Sequence, residues 1–155
     1  MLKASALTLP VLLVTALPAL AQSELDRLAA ASLAASENME AFMVGAVPEL
    51  ADVMPDWAWS AEMRDAAACT LDAIRAEGGD AAVISYVTEM EAFAETEITS
   101  MAQLGEATPV PISPDFAAAT GQTCGTAALA VQLMEDSGLM TAMMDPEIMT
   151  VLMGL

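Results

Sequence analysis

Apolar side chains recur every three or four residues along most of the chain, which is the spacing of one face of an α-helix. The two most regular stripes run from Leu25 to Ala46 and from Val83 to Met101. Alanine, leucine, methionine and glutamate, all strong helix formers, dominate these stretches. The alternation of β-branched and polar residues that marks a half-buried strand is missing from the sequence. The pattern predicts an all-α protein, a small helical bundle.

Prolines and glycines divide this pattern into about four main helices. They are predicted at residues 23–47, 56–77, 80–105 and 115–136, and Gly78-Gly79 is predicted to end the second. Residues 105–114 carry three prolines and are predicted to form an extended linker inside the domain. Within residues 137–155, Asp145 and Pro146 have the residue types of an N-cap and a first helical position. Short C-terminal helices are therefore expected as an appendage to the bundle.

The beginning of the chain has the pattern of a cleavable Sec signal peptide over residues 1–21. Lys3 precedes an apolar run, and small residues follow that run where signal peptidase requires them. The residues at the expected cleavage site are Ala19, Ala21 and Gln22. An uncleaved membrane anchor is the alternative, but two prolines interrupt the run. We expect one domain at residues 22–155, located in a bacterial periplasm or outside the cell and no longer attached to the membrane.

The chain is strongly acidic, with 22 aspartates and glutamates against four lysines and arginines. After the predicted leader, the basic residues are Arg27, Arg64 and Arg75, so three minus 22 gives that part a formal charge of −19. A field of this sign and size repels phosphate groups. Nucleic acid, nucleotides and anionic lipids are therefore excluded as partners, whereas cations and cationic proteins are not.

Residues 22–155 contain no histidine and no lysine. They lack the usual general base, the commonest metal ligand and the amine that forms Schiff bases. Ser-His-Asp and Cys-His catalysis are thereby excluded, and no cofactor is expected. A carboxylate-dependent hydrolase is still an alternative, because two carboxylates suffice for glycoside hydrolysis.

Two cysteines, Cys69 and Cys124, are predicted to form one disulfide, because an oxidising compartment favours the single possible pair. Such a bond would hold the second and fourth helices side by side. Near Cys124, the glycines Gly121 and Gly125 predict either close packing against another helix or a kink.

Methionine is concentrated near the C-terminus of the chain. The candidates for a metal or a partner are Met140, Met143, Met144, Met149 and Met153. Thioether sulfur binds Cu(I), but methionine also serves as an adaptable filler of helical cores and docking surfaces. We favour the second interpretation, with residues 137–155 as the surface for a protein partner, and keep copper handling as an alternative.

Two further groups of residues are candidates for binding. The third predicted helix carries the carboxylates Glu89, Glu91, Glu95 and Glu97, with no basic residue in the same helix. Oxygen ligands suit Ca²⁺, but a solvated face is the preferred interpretation. Trp57 and Trp59 are predicted to pack at the start of the second helix, with a recognition patch as the alternative.

Together these patterns favour an exported, acidic, non-catalytic binding or chaperone-like module over metal handling or hydrolysis. No motif in the sequence defines a particular ligand or partner.

Overall fold

The computed structural model describes residues 23–154, so the predicted leader and its cleavage site lie outside the described residues. Across this range the chain forms seven α-helices, one 3-10 helix and no strand, which confirms the all-α prediction. The elements are α1 (Glu24–Ala46), the 3-10 helix (Pro48–Val53), α2 (Ala61–Ala94), α3 (Met101–Ala107), α4 (Pro114–Cys124), α5 (Thr126–Ser137), α6 (Leu139–Met143) and α7 (Pro146–Met153). None of these helices combines the length and the apolar character needed to cross a bilayer.

Five helices begin at a short polar side chain that accepts a backbone hydrogen bond from the first turn. These N-caps are Ser23, Ser60, Ser100, Ser113 and Asp145. Each cap satisfies an amide that has no partner inside its helix and contributes about 1 kcal/mol to stability. The predicted N-cap at Asp145, with proline at the first helical position, is among them.

The long helix α2 is a hairpin that reverses at Gly79. This residue has φ 75° and ψ −177°, which only glycine adopts readily. Arg64 pairs with Asp26, and Arg27 pairs with Glu91, so both halves of α2 reach the same turn of α1. A straight helix would place residues 64 and 91 about 40 Å apart. The predicted break at Gly78-Gly79 is therefore confirmed. Residues 61–78 and 80–94 form two helical segments that run in opposite directions and pack against each other.

Substituting Gly79 is expected to destabilise the protein through the backbone alone. A Cβ at this position would meet no atom within 4 Å, so the Gly79→Ala penalty is the cost of the positive φ, about 1–3 kcal/mol. Gly45 is the matched control, because it lies inside α1 and also has open space around it. Gly45→Ala should stabilise the helix by about 1 kcal/mol. Urea unfolding followed by circular dichroism measures both; shifts of the same sign would contradict a special turn at Gly79.

Two apolar clusters form the core, and α1 contributes to both. The N-terminal cluster comprises Leu28, Leu71, Ile74, Val83 and Val87. The C-terminal cluster comprises Met43, Val47, Leu50, Leu139 and Leu152. Leu28 and Met43 are about 22 Å apart along the axis of α1, so the clusters lie at opposite ends of that helix.

The predicted third helix is wrong beyond Ala94. Residues 95–100 are not helical, and α3 starts anew at Met101. Gln103 explains the interruption, since its side chain accepts from the Thr99 amide at 2.8 Å and donates to the Glu97 carbonyl at 2.9 Å. Local bonds of this kind replace the hydrogen bonds of a continuous helix. The predicted linker is correspondingly shorter, because α3 extends to Ala107 and α4 already begins at Pro114.

The predicted fourth helix is two helices, α4 and α5. Gly125 lies between them with φ 84°, in the left-handed region that ends a helix. Of the two outcomes predicted for the glycines here, the kink is the one that occurs at Gly125. Just before it, Cys124 is joined to Cys69 in a disulfide with a Cα–Cα distance of 5.6 Å. This confirms the predicted bond, which fastens the end of α4 to the first half of α2.

Candidate functional site: an apolar cavity beside two tryptophans

A cavity of about 550 Å³ opens between α1, α5 and the loop that leads into α2. We call it the tryptophan cavity, since both tryptophans of the chain line it. Its apolar lining comprises Met39, Trp57, Ala58, Trp59, Met63, Leu129, Ala130, Leu133 and Met134. The polar lining is small, and comprises Ser36, Ser60, Glu62, Gln132 and Asp136.

Local hydrogen bonds hold the tryptophan loop in place. The indole Nε1 of Trp57 donates to Glu40 Oε2 at 2.8 Å, which ties the ring to α1. The Ala58 amide donates to Asp56 Oδ1 at 2.9 Å, which closes a tight turn around Trp57. Trp59 packs against the N-terminal cluster. The loop therefore presents two aromatic side chains whose positions are set before any ligand arrives.

Helix α5 forms the opposite wall and is held mainly at its ends. None of residues 126–137 is fully buried. Glycines with positive φ flank the helix, Gly125 at 84° and Gly138 at 88°. Beyond these glycines lie the disulfide at Cys124 and the side chain of Leu139, which is only 2% exposed. The position of this wall therefore depends on the disulfide on one side and on the C-terminal cluster on the other.

The charged side chains that line the cavity are both acidic. Glu62 and Asp136 are exposed, and neither has an ion-pair partner among residues 23–154. The nearest arginine in sequence, Arg64, is paired with Asp26. The cavity thus opens toward solvent with uncompensated negative charge.

Two ion pairs join α1 to α2 away from the cavity lining. Hydrogen bonds from Ser23 and then Arg64 lower the pKa of Asp26. The hydrogen bond from Arg27 to Glu91, with Nη2 and Oε2 2.6 Å apart, lowers the pKa of that carboxyl and raises the pKa of Arg27. These groups are therefore charged at neutral pH and engaged with one another.

A second, smaller cavity of about 360 Å³ lies on the other side of Trp57. Its lining includes the carboxylates Glu37, Glu40 and Asp56. Glu40 already accepts from Trp57, and Asp56 already accepts from the Ala58 amide. Within residues 23–154, no three cysteine, aspartate or glutamate side chains are grouped so as to hold a metal ion.

The predicted methionine surface is split between core and solvent. Met143 packs against the C-terminal cluster, whereas Met144 and Met153 are 74% and 69% exposed. Met140 and Met149 are half-buried. Residues 137–154 take part in the core of the domain, since they supply Leu139 and Leu152 to the C-terminal cluster. A partner or copper bound by these methionines stays a prediction.

The four carboxylates of the predicted acidic helix have different surroundings in the structure. Glu91 is paired with Arg27 from α1, which sequence reasoning missed because it considered only charges within one helix. Glu89 accepts from the Ser85 hydroxyl at 2.8 Å. Glu95 and Glu97 lie beyond the end of α2. The four carboxylates therefore do not form one continuous face.

The sequence predicts that the tryptophans pack at the start of a helix, with a recognition patch as the alternative, but it does not indicate which residues lie opposite them. Leu129, Leu133 and Met134 belong to α5 and lie 70 or more residues from either tryptophan in the chain, so only the tertiary fold brings them to the tryptophan loop. Comparison with known protein families, with curated proteins and with solved structures found no match. Any function proposed for the chain therefore rests on the chemistry of its own residues.

Proposed function

We propose that the chain is an exported, non-catalytic binding protein that holds a small apolar ligand in the tryptophan cavity. The observation that carries this proposal is the convergence of Trp57, Trp59, Met63, Leu133 and Met134 on one open space. Apolar and aromatic side chains with a few polar groups are the usual lining of small-molecule sites. The methionine side chains are flexible and can adapt to the shape of a ligand, whereas the tryptophan rings are rigid and provide large flat surfaces.

The size of the cavity favours a small molecule over a macromolecule or a bare ion. Its volume of about 550 Å³ lies inside the range of about 300–1,000 Å³ that is usual for small-ligand pockets. A hard cation such as Ca²⁺ would need several converging oxygen ligands, whereas most of the residues that line the cavity are apolar. Binding would remove apolar surface of the ligand from water, which contributes favourably to the binding free energy.

Catalysis is less well supported than binding. A hydrolase that uses two carboxylates needs one of them protonated at neutral pH, which requires apolar surroundings. Glu62 and Asp136 are exposed to solvent instead. Export is part of the proposal because of the leader predicted at residues 1–21, and the disulfide suits an oxidising compartment.

The proposal predicts that a neutral apolar probe changes the tryptophan fluorescence of the protein in a saturable manner. Because the two tryptophans of the chain both line the cavity, no other indole dilutes the signal. We would titrate the protein with 4-phenylbutanol, exciting tryptophan alone, and repeat the titration by calorimetry. Ala130→Phe should weaken binding by about tenfold or more, because the new ring fills the space that the ligand needs.

Ala128→Phe is the matched control for this variant. Ala128 is exposed on the same helix but does not line the cavity. The control should bind the probe as the unmodified protein does. Equal loss of binding in both variants, or no saturable binding by either method, would show that the cavity is not the site.

A further inference from the structure

We propose that the natural ligand of the tryptophan cavity is an apolar cation, a molecule with a hydrophobic body and an ammonium-type head. This inference rests on the function proposed above and specifies the class of ligand. Three features of the cavity lead to it: its aromatic lining, its two carboxylates and the engagement of every described arginine.

The aromatic lining is suited to positive charge. The face of an indole carries negative electrostatic potential, and tryptophan is the strongest cation–π partner among the side chains. Trp57 and Trp59 are separated by one residue and both line the cavity. Trp57 is further fixed by its bond to Glu40, whose negative charge lies directly at the edge of the ring. A cationic head can therefore be held by the two indoles while the apolar body contacts the aliphatic and methionine side chains of the lining.

The carboxylates add a charge preference that the arginines do not cancel. Glu62 and Asp136 come from opposite walls, the start of α2 and the end of α5. Among residues 23–154, Arg27, Arg64 and Arg75 are each bonded to aspartate or glutamate. An anionic ligand would thus find no available guanidinium in the described structure, and a cationic ligand would find two carboxylates.

One feature of the site favours an anion, namely the positive end of the α2 dipole at Ser60. Two groups already offset it. The Ser60 hydroxyl accepts from the Met63 amide at 3.1 Å, and Glu62 places a full negative charge in the first turn. The partial positive charge at this helix end is smaller than the two full negative charges of Glu62 and Asp136. The net electrostatic preference of the cavity is therefore for a cation.

The test compares three probes that share one apolar body. The probes are 4-phenylbutylamine, which is cationic at neutral pH, neutral 4-phenylbutanol and anionic 4-phenylbutanoate. We expect the amine to bind about tenfold more tightly than the alcohol, and the carboxylate to bind more weakly than either. Added salt should reduce the advantage of the amine, because the carboxylates are exposed and their field is screened.

Charge-removing variants locate the preference. Glu62→Gln combined with Asp136→Asn should bring the ratio of the affinity for the amine to the affinity for the alcohol close to one. Glu77→Gln is the control, since this exposed carboxylate lies on the same half of α2 but about 22 Å further along the helix. It should leave the ratio of the two affinities unchanged.

The outcomes separate the two proposals. If the alcohol binds and the amine binds no more tightly, the charge inference is wrong and the binding function stands. The charge inference is also wrong if the carboxylate binds as tightly as the amine. If Glu77→Gln abolishes the preference for the amine as fully as the combined Glu62→Gln and Asp136→Asn variant, the assignment of that preference to Glu62 and Asp136 is wrong. If none of the three probes binds, the proposed function itself fails.

Discussion

Replacing Cys69 and Cys124 with serine is expected to lower the free energy of unfolding by about 4 kcal/mol. The two cysteines are 55 residues apart in sequence, and a cross-link of that span restricts the unfolded chain by about this amount. A domain of this size has a total stability of only about 5–15 kcal/mol, so the loss is a large fraction of it. Urea unfolding of the double variant and of the reduced natural protein measures the effect.

The double serine variant should also bind the probe more weakly, even when the variant is fully folded. Cys124 lies directly before Gly125, and α5 begins at the next residue, so the disulfide is one of the two anchors of a cavity wall. The control is to measure probe binding under conditions in which circular dichroism shows the variant fully folded. Unchanged affinity there would mean that α5 holds its position without the bond, and an unchanged unfolding midpoint would contradict the stability prediction.

Truncation after Ser137 is expected to disrupt the fold rather than to remove an appendage. The deleted residues include Leu139 and Leu152, which are 2% and 1% exposed and belong to the C-terminal cluster. Each buried leucine contributes about 2–5 kcal/mol, as judged by its replacement with alanine. Their joint loss approaches the whole stability of a small domain. We expect the truncated chain to lose its cooperative thermal transition, as followed by circular dichroism.

Point variants separate the role of the cluster from the effect of shortening the chain. Leu152→Ala should cost about 2–5 kcal/mol. Met153→Ala, at the neighbouring position, should change stability by less than about 0.5 kcal/mol because Met153 is 69% exposed. Similar effects of the two substitutions, or a truncated protein that melts like the full chain, would show that α7 is dispensable for the fold.

The helical class, the disulfide and the break at Gly79 could be predicted from the sequence because each depends on local residue types or on simple pairing. The interruption after Ala94 could not, because the apolar spacing of residues 83–101 continues through a segment in which Gln103 bonds to the backbone instead. Periodicity records which positions are apolar. It does not record where side chains compete for backbone hydrogen bonds.

The site was less accessible to sequence reasoning than the fold. The sequence predicts that Trp57 and Trp59 pack at the start of a helix, with a recognition patch as the alternative. The cavity beside them also includes α5, which follows the kink at Gly125 and the disulfide at Cys124. The composition of the methionine-rich segment predicts a docking surface, but part of the segment packs in the C-terminal cluster. The pairing of Glu91 with Arg27 was missed for a similar reason, since it joins residues 64 positions apart.

The tryptophan cavity lies over the middle of α1, between the two apolar clusters. Met39, Trp57 and Met134 pack against the C-terminal cluster, Trp59 packs against the N-terminal cluster, and all four line the cavity. A molecule held there would touch both clusters and make one continuous apolar interior along the helix. Its binding energy would then be shared by both ends of the protein, amounting to about 2.7 kcal/mol of added stability at a hundredfold excess over its dissociation constant. The occupied protein should therefore unfold at a higher temperature than the empty protein, in a transition that involves both clusters.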